Sequence, residues 1–351
     1  MDEPAIRFTE ASGRRIAWSR SGDGPPLLLA GWWMSHLELN WREPRYRAYV
    51  EALSRHRTVI RYDSPGTGAA ADGERPSAGI DEEVAVLDAV LEAAATGPVD
   101  LIAGSSGGPV GVAYAVARPE RVRRLVVYGG YASGARIADD RTRAAIAGLV
   151  REHWGLGSRV LADVFIPSAD AAEREAFVDF QRRASSAERA ASALEAVYGF
   201  DVADRLGDVR VPAVVLHRRD DRAIPFEQGR RLAAGLPDAA FVALSGADHF
   251  PWYGDVEQSL RATLHAIGVE PDGAGADAAD TAAPDVADAD LTQRQTEVLG
   301  LIARGLSDRE IAERLTLSPH TVHRHVANLR TKLGLPTRAA AVAAATRRGL
   351  I

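Results

Sequence analysis

The residues Leu101-Ile102-Ala103-Gly104-Ser105-Ser106-Gly107-Gly108-Pro109 constrain this chain more than any other stretch. An apolar run from Val99 to Ala103 stops in a Gly-x-Ser-x-Gly turn, and a helical pattern (Val110, Ala113, Tyr114, Ala117) follows at once. A strand that reverses into a helix within a few residues needs glycines flanking the serine, because a Cβ at Gly104 or Gly108 would clash. The spacing predicts that Ser106 takes the strained position, with its hydroxyl exposed. Alone, such a pattern is weak in a chain with 32 glycines; its weight comes from the strand before it, the helix after it and two later partners.

At 351 residues the chain has room for a sizeable core and more than one domain. It contains no cysteine, which excludes disulfides, thiolate chemistry and cysteine-ligated metals. No cofactor and no metal site are expected. The start, MDEPAIRFTE, lacks a basic-then-apolar leader, and no apolar run approaches spanning length, so a cytoplasmic protein without a membrane partner is expected. The net charge of −6 hides an asymmetry. Residues 291–351 carry ten basic and four acidic side chains, whereas residues 268–290 carry seven acids and no base. A basic tail behind an acidic tether suggests a polyanionic partner for the tail.

Short strands are predicted at Ile6–Thr9 and Arg14–Ser19, turning at Ser12-Gly13. Apolar runs at Pro26–Gly31, Arg57–Tyr62, Val99–Ala103, Arg124–Tyr128, Val211–His217 and Ala240–Leu244 read as buried strands. Helical periodicity over Ile80–Ala95 (Val84, Leu87, Leu91) lies among them. Strands alternating with helices imply a parallel sheet covered on both faces. From about 131 to 205 the strand signal disappears and Ala, Arg and Glu recur at helical spacing, as expected of a helical cap over the strand ends. Residues 268–290 read as a solvated linker, dividing a domain over 1–267 from one over 291–351. In the tail, Thr292 with Gln295 and Ser307 with Glu310 fit capping boxes, Ser318-Pro319 fits a helix start, and Thr337 can cap a last helix, giving four short helices.

Acyl transfer by serine needs a base to take the hydroxyl proton and an acid to orient that base. His249, in SGADHFPW, follows the last apolar strand, and Asp221, in HRRDDRAIP, follows the strand before it. The order Ser106, Asp221, His249 suits a sheet of this kind. Adjacent Asp220 cannot be separated from Asp221 by position alone. Trp32, Trp33, Trp41 and Trp252 either line an apolar pocket or are simply core.

Through GSSGG, RYDSPGTG, HRRDDRAIP and SGADHFPW, residues from about Ala5 to Gly268 resemble the α/β-hydrolase fold. The resemblance implies Asp221 as the acid, four residues before Pro225. It also implies an oxyanion hole from the backbone N–H groups of Gly107 and Trp32, although Ala30-Gly31 replaces the family's usual His-Gly. Residues 291–351, through LTQRQTEVLGLIARGLSDREIAERLTLSPHTVHRHVANLRTKLGL, resemble the LuxR/NarL-type helix-turn-helix domain. On the third tail helix Val322, Val326, Leu329 and Leu333 form one inward stripe. His320, Arg324, Ala327, Asn328 and Thr331 lie opposite, with Thr321 and His323 on the flanks. Arg324 suits a guanine edge, Asn328 adenine or phosphate, and Ala327 a thymine methyl. The resemblance assigns base contacts to His323, Arg324 and Ala327. Ser318, Thr321, Arg330, Lys332, Thr337 and Arg338 read as phosphate contacts.

The expected architecture is an α/β-hydrolase sheet with a helical cap, then an all-α helix-turn-helix domain. The expected function is a DNA-binding transcriptional regulator whose front domain senses a small molecule, with double-stranded DNA as partner and, by resemblance, a homodimer on it. The alternative is an active serine hydrolase, acting on an ester or lactone, that carries a DNA-binding tail.

Overall fold

The computed structural model describes residues 3–70, 79–95, 97–269, 297–298, 300–302, 306 and 308–315. The chain divides into two compact units, Met1–Pro271 and Asp272–Ile351. The first unit opens with a hairpin, β1 (Arg7–Ala11) and β2 (Arg14–Ser21). It turns through two left-handed residues, Ser12 (φ 51°) and Gly13 (φ 74°), the conformation that matches strand twist in a tight hairpin. The sheet continues with β3 (Pro26–Gly31), β4 (Thr58–Tyr62), β5 (Val99–Gly104), β6 (Val122–Tyr128), β7 (Ala213–Arg218) and β8 (Ala239–Leu244). The strand order is β1-β2-β4-β3-β5-β6-β7-β8, parallel from β4 to β8. Every residue of the central strand β5 is buried, including Asp100, whose carboxylate is held by Arg57 (3.1 Å), Arg123 (3.3 Å) and Arg124 (3.5 Å).

Helices close both faces. On one side α3 (Ile80–Ala94), α4 (Gly107–Ala117) and α9 (Phe226–Gly235) pack Leu87, Leu91, Val112 and Leu232 onto Leu28, Leu101 and Val127. On the other, α2 (Pro44–Ser54) and α10 (Val256–Ala266) pack Tyr49, Leu53 and Ala266 against Leu29, Ile102 and Val126. Between β6 and β7 lie α5 (Asp140–Glu152), α6 (Trp154–Phe165), α7 (Ala171–Ala184) and α8 (Ala187–Gly199), the expected helical cap. Its apolar side (Val150, Leu161, Ala184, Leu194) packs on Trp33 and Met34, just beyond the end of β3.

Two differences from the sequence reading have local causes. Residues 37–54, given no element there, form α1 (Leu37–Arg42) and α2; Glu43 ends the first and caps the second, and Pro44 stands in the first turn of α2, so no long period develops. Strand β7 starts at Ala213 rather than Val211, beyond Pro212, which has no N–H for the ladder.

In the second unit the described residues include the helix α11 (Asp308–Leu315), which starts one residue after Ser307. Val298, Leu301, Ile302, Ile311 and Ala312 are buried there. The DNA-contact residues expected from sequence (Ser318, His320, Thr321, His323, Arg324, Ala327, Asn328, Arg330, Lys332, Thr337 and Arg338) lie outside the described residues.

Candidate active site

The turn after β5 is built by close backbone approach. A Cβ at Gly31 would stand 2.2 Å from the Gly104 carbonyl oxygen and 2.6 Å from the Gly107 Cα; one at Gly107 would stand 2.5 Å from the Gly31 Cα. Only glycine fits this crossing of the loop after β3 with the start of α4. A Cβ at Gly108 would be less crowded, 3.1 Å from a Val127 methyl.

The strained residue is therefore Ser105 and not Ser106. Ser105 has φ 52°, whereas Ser106, at the N-cap of α4, is right-handed helical (φ −61°, ψ −20°). The GSSGG stretch holds two overlapping serine turns, and the one ending at Gly107 is the one whose glycine the packing requires. Ser105 is fixed by its own N–H donating to the Tyr128 carbonyl (2.9 Å) and by its carbonyl accepting from Gly108 N–H (2.9 Å). Ser105 and His249 line one narrow pocket walled by Trp32, Phe165, Phe177 and Phe250. Ser106 instead lines a separate small cavity with Ser64, Glu83 and Val110.

The expected partners of the serine come together. His249 Nδ1–H donates to Asp221 Oδ2 at 2.8 Å, both side chains being 1% exposed. Asp221 Oδ1 accepts from the N–H groups of Ala223 (2.9 Å) and Ile224 (3.1 Å), which fixes the carboxylate plane. Asp220 is exposed. With Nδ1 used as donor, His249 Nε2 is the basic nitrogen; it is buried and has no hydrogen-bond partner among the described residues. Burial pushes the Asp221 carboxyl up, but the interaction with His249 and the Ile224 N–H outweigh it and hold the carboxyl below its ordinary value.

Sequence reasoning missed several supports. His217, fully buried, gives its Nε2–H to the Ile224 carbonyl (2.9 Å), and burial lowers its pKa, so it stays a neutral brace under the acid loop. A Cβ at Gly129 (φ 57°) would meet the His249 ring at 3.2 Å and Asp221 at 3.4 Å. The cap reaches the histidine directly: His249 N–H donates to the Phe165 carbonyl (2.7 Å), and the Phe165 ring stacks on the imidazole at 5.6 Å. Asp248, beside it, accepts from Ser168 N–H (3.1 Å) and Ser168 Oγ–H (2.7 Å). Apart from His217 to Ile224, seven residues apart, these contacts join residues distant in sequence and so carry no local motif.

The expected oxyanion donors fare differently. Trp32 N–H is already committed to the Gly104 carbonyl at 3.1 Å, so it does not face an incoming oxygen. With the strained serine at 105, the N–H of the following residue belongs to Ser106 rather than Gly107. Trp32 and Trp252 stack edge-on at 4.9 Å and wall a cavity of about 490 Å³. That cavity shares Trp32, Met34, Phe177, Phe180 and Phe250 with the Ser105–His249 pocket. Trp33 lines the narrow pocket, whereas Trp41 is core. Among the described residues no group of three or more His, Asp or Glu side chains is arranged to hold a metal. No described helix is long and apolar enough to cross a membrane.

Comparisons with known proteins bear on the family and the fold. Residues 27–263 match the family model described as alpha/beta hydrolase family, and residues 289–345 match that of bacterial regulatory proteins, luxR family. The chain is similar to a putative carbamate hydrolase RutD of Azorhizobium caulinodans, 29% identical over 246 residues, covering 65% of this chain and 85% of that protein. It is also similar to a 2-hydroxy-6-oxononadienedioate/2-hydroxy-6-oxononatrienedioate hydrolase of Paraburkholderia phymatum, 28% identical, covering 60% and 76%. Among solved structures, the enol-lactonase of Burkholderia xenovorans superposes with a TM-score of 0.62 at 23% identity, covering 74% of this chain and 99% of that one, a likeness of fold.

Proposed function

This chain belongs to the alpha/beta hydrolase family and carries a luxR-family domain at 289–345, and from that premise we propose that it is a DNA-binding transcriptional regulator whose hydrolase unit takes a small-molecule acyl compound. The observation that carries the ligand-binding half is the free, buried Nε2 of an Asp221-oriented His249 facing the same pocket as Ser105. Ser105 acts as nucleophile in this reading. Its Oγ attacks the acyl carbon while its proton passes to His249 Nε2, and Asp221 holds the imidazole tautomer and stabilises the imidazolium that forms. The protonated His249 then gives that proton to the leaving oxygen as the acyl C–O bond breaks. Water, activated by the same nitrogen, releases the acid. The N–H of Ser106, at the start of α4, supplies one oxyanion donor. The two serines divide the work, Ser105 by side chain and Ser106 by backbone.

The sheet unit, 1–267, thus forms the sensor; 268–290 the tether; and 291–351 the reading head, acting in the cytoplasm as a homodimer on duplex DNA. A second reading, a serine hydrolase with an accessory DNA-binding tail, is favoured by the Asp221-oriented His249 sharing one pocket with Ser105. One experiment separates serine 105 from serine 106: labelling of the full-length protein with a serine-directed fluorophosphonate. Ser105→Ala is expected to abolish labelling and Ser106→Ala to leave it. Labelling that survives Ser105→Ala and disappears with Ser106→Ala would return the role to the second serine. A thermal-shift screen of small esters, lactones and acids then separates sensing from turnover. A shift with wild type and Ser105→Ala alike means a retained ligand, and a shift with the variant alone means a substrate that the wild type consumes.

A further inference from the structure

Arg61, on β4, is 3% exposed and lines the cavity of about 490 Å³ that adjoins the Ser105–His249 pocket. One of its amino groups, Nη2, donates to Ser19 Oγ at 3.1 Å. Its Nε and Nη1 groups are buried with no acceptor among the described residues. The guanidinium lies over Trp41 at 4.9 Å and near the Tyr46 ring at 5.8 Å. The other arginines lining the cavity have acids: Arg42 with Glu38 (3.8 Å), Arg45 with Glu173, and Arg183 with Asp179 (3.3 Å). Asp63, also lining the cavity, is near enough to feel the Arg61 charge but accepts no hydrogen bond from it: one carboxylate oxygen is taken by the Ala69 N–H (2.8 Å), and the other is buried with no hydrogen-bond partner among the described residues.

A guanidinium removed from water with two of its donor nitrogens unsatisfied is costly unless a ligand completes it, and its planar fork of donors matches a carboxylate. We propose that Arg61 anchors a carboxylate of the ligand. The ligand class is then an acyl compound bearing a free carboxylate at one end and an apolar spacer, which runs between Trp32, Phe177 and Phe250 toward Ser105. The direction of the spacer rests on the proposed role of Ser105; the carboxylate subsite does not.

The test is titration calorimetry on full-length Ser105→Ala protein, in which nothing is consumed by that serine. The probes are ω-phenyl carboxylates from 4-phenylbutyrate to 8-phenyloctanoate, each against its uncharged primary amide. At one or more lengths the carboxylate is expected to bind about tenfold or more tightly than the amide, the range of a charge-assisted hydrogen bond. Adding Arg61→Met is expected to erase that ratio, and Arg61→Lys to retain part of it. No carboxylate preference at any length would overturn the proposal without any further variant, as would a preference unchanged by Arg61→Met in a protein shown folded by circular dichroism. Loss of the ratio with fluorophosphonate labelling of Ser105 intact removes the subsite alone. A preserved ratio with labelling absent removes the nucleophile alone.

Discussion

At the scale of single residues, burial and bonding oppose each other at Asp221, and bonding wins. Its carboxylate orients a base rather than relaying a proton, so Asp221→Asn should leave the fold in place and let His249 adopt the wrong tautomer. If the acyl-transfer reading holds, kcat on a chromogenic ester should fall by roughly 10³–10⁴, with KM little changed. Asp63 behaves in the opposite way, burial raising its carboxyl to about 6. The folded protein then binds a proton that the unfolded chain has released, so stability should decline as pH rises from about 4 to about 6. A shift of this size corresponds to roughly 2–3 kcal/mol over that window. Asp63→Asn should flatten that part of the stability curve in urea melts taken between pH 4 and 7; an unchanged slope would mean that other groups produce it.

Among the elements, the strands and α3 were readable because apolar runs and 3.6-residue spacing are local signals, and each lies within two residues of its expected place. Helices α1 and α2 were not, since Glu43-Pro44 divides them into pieces too short for a period to emerge. Neither were the links between cap and histidine loop, which join Phe165 to His249 and Ser168 to Asp248 across about eighty residues. Glycine requirements differ by element. Gly13 has open space around it, so Gly13→Ala should cost about 1–2 kcal/mol, the strain of a left-handed alanine. At Gly31 a Cβ would also overlap backbone at 2.2 Å, so Gly31→Ala should cost several kcal/mol more or prevent folding, as thermal melts of the two variants would report.

For the whole molecule, charge separates two jobs within one chain of net charge −6. Binding of the basic tail to duplex DNA should fall steeply with salt, by roughly a hundredfold or more between 50 and 200 mM if several phosphates are contacted. Arg330→Ala should weaken all sequences alike and reduce the logarithmic salt slope by about 1, whereas Arg324→Ala should relax the preference among sequences. Fluorescence anisotropy against a selected operator and a scrambled duplex tests both, and a salt-independent affinity would count against the tail as a phosphate reader. Composition, the alternation of apolar runs and the long tail motif were enough to determine the two families, because these signals are carried by neighbours along the chain. Only the folded molecule decided which of two adjacent serines bears the strain, that Trp32 N–H is already used, and that Arg61 lies buried with two donor nitrogens unsatisfied among the described residues. Each of those depends on backbones and charges brought within a few ångströms from distant parts of the sequence, and no spacing along one strand encodes such a meeting.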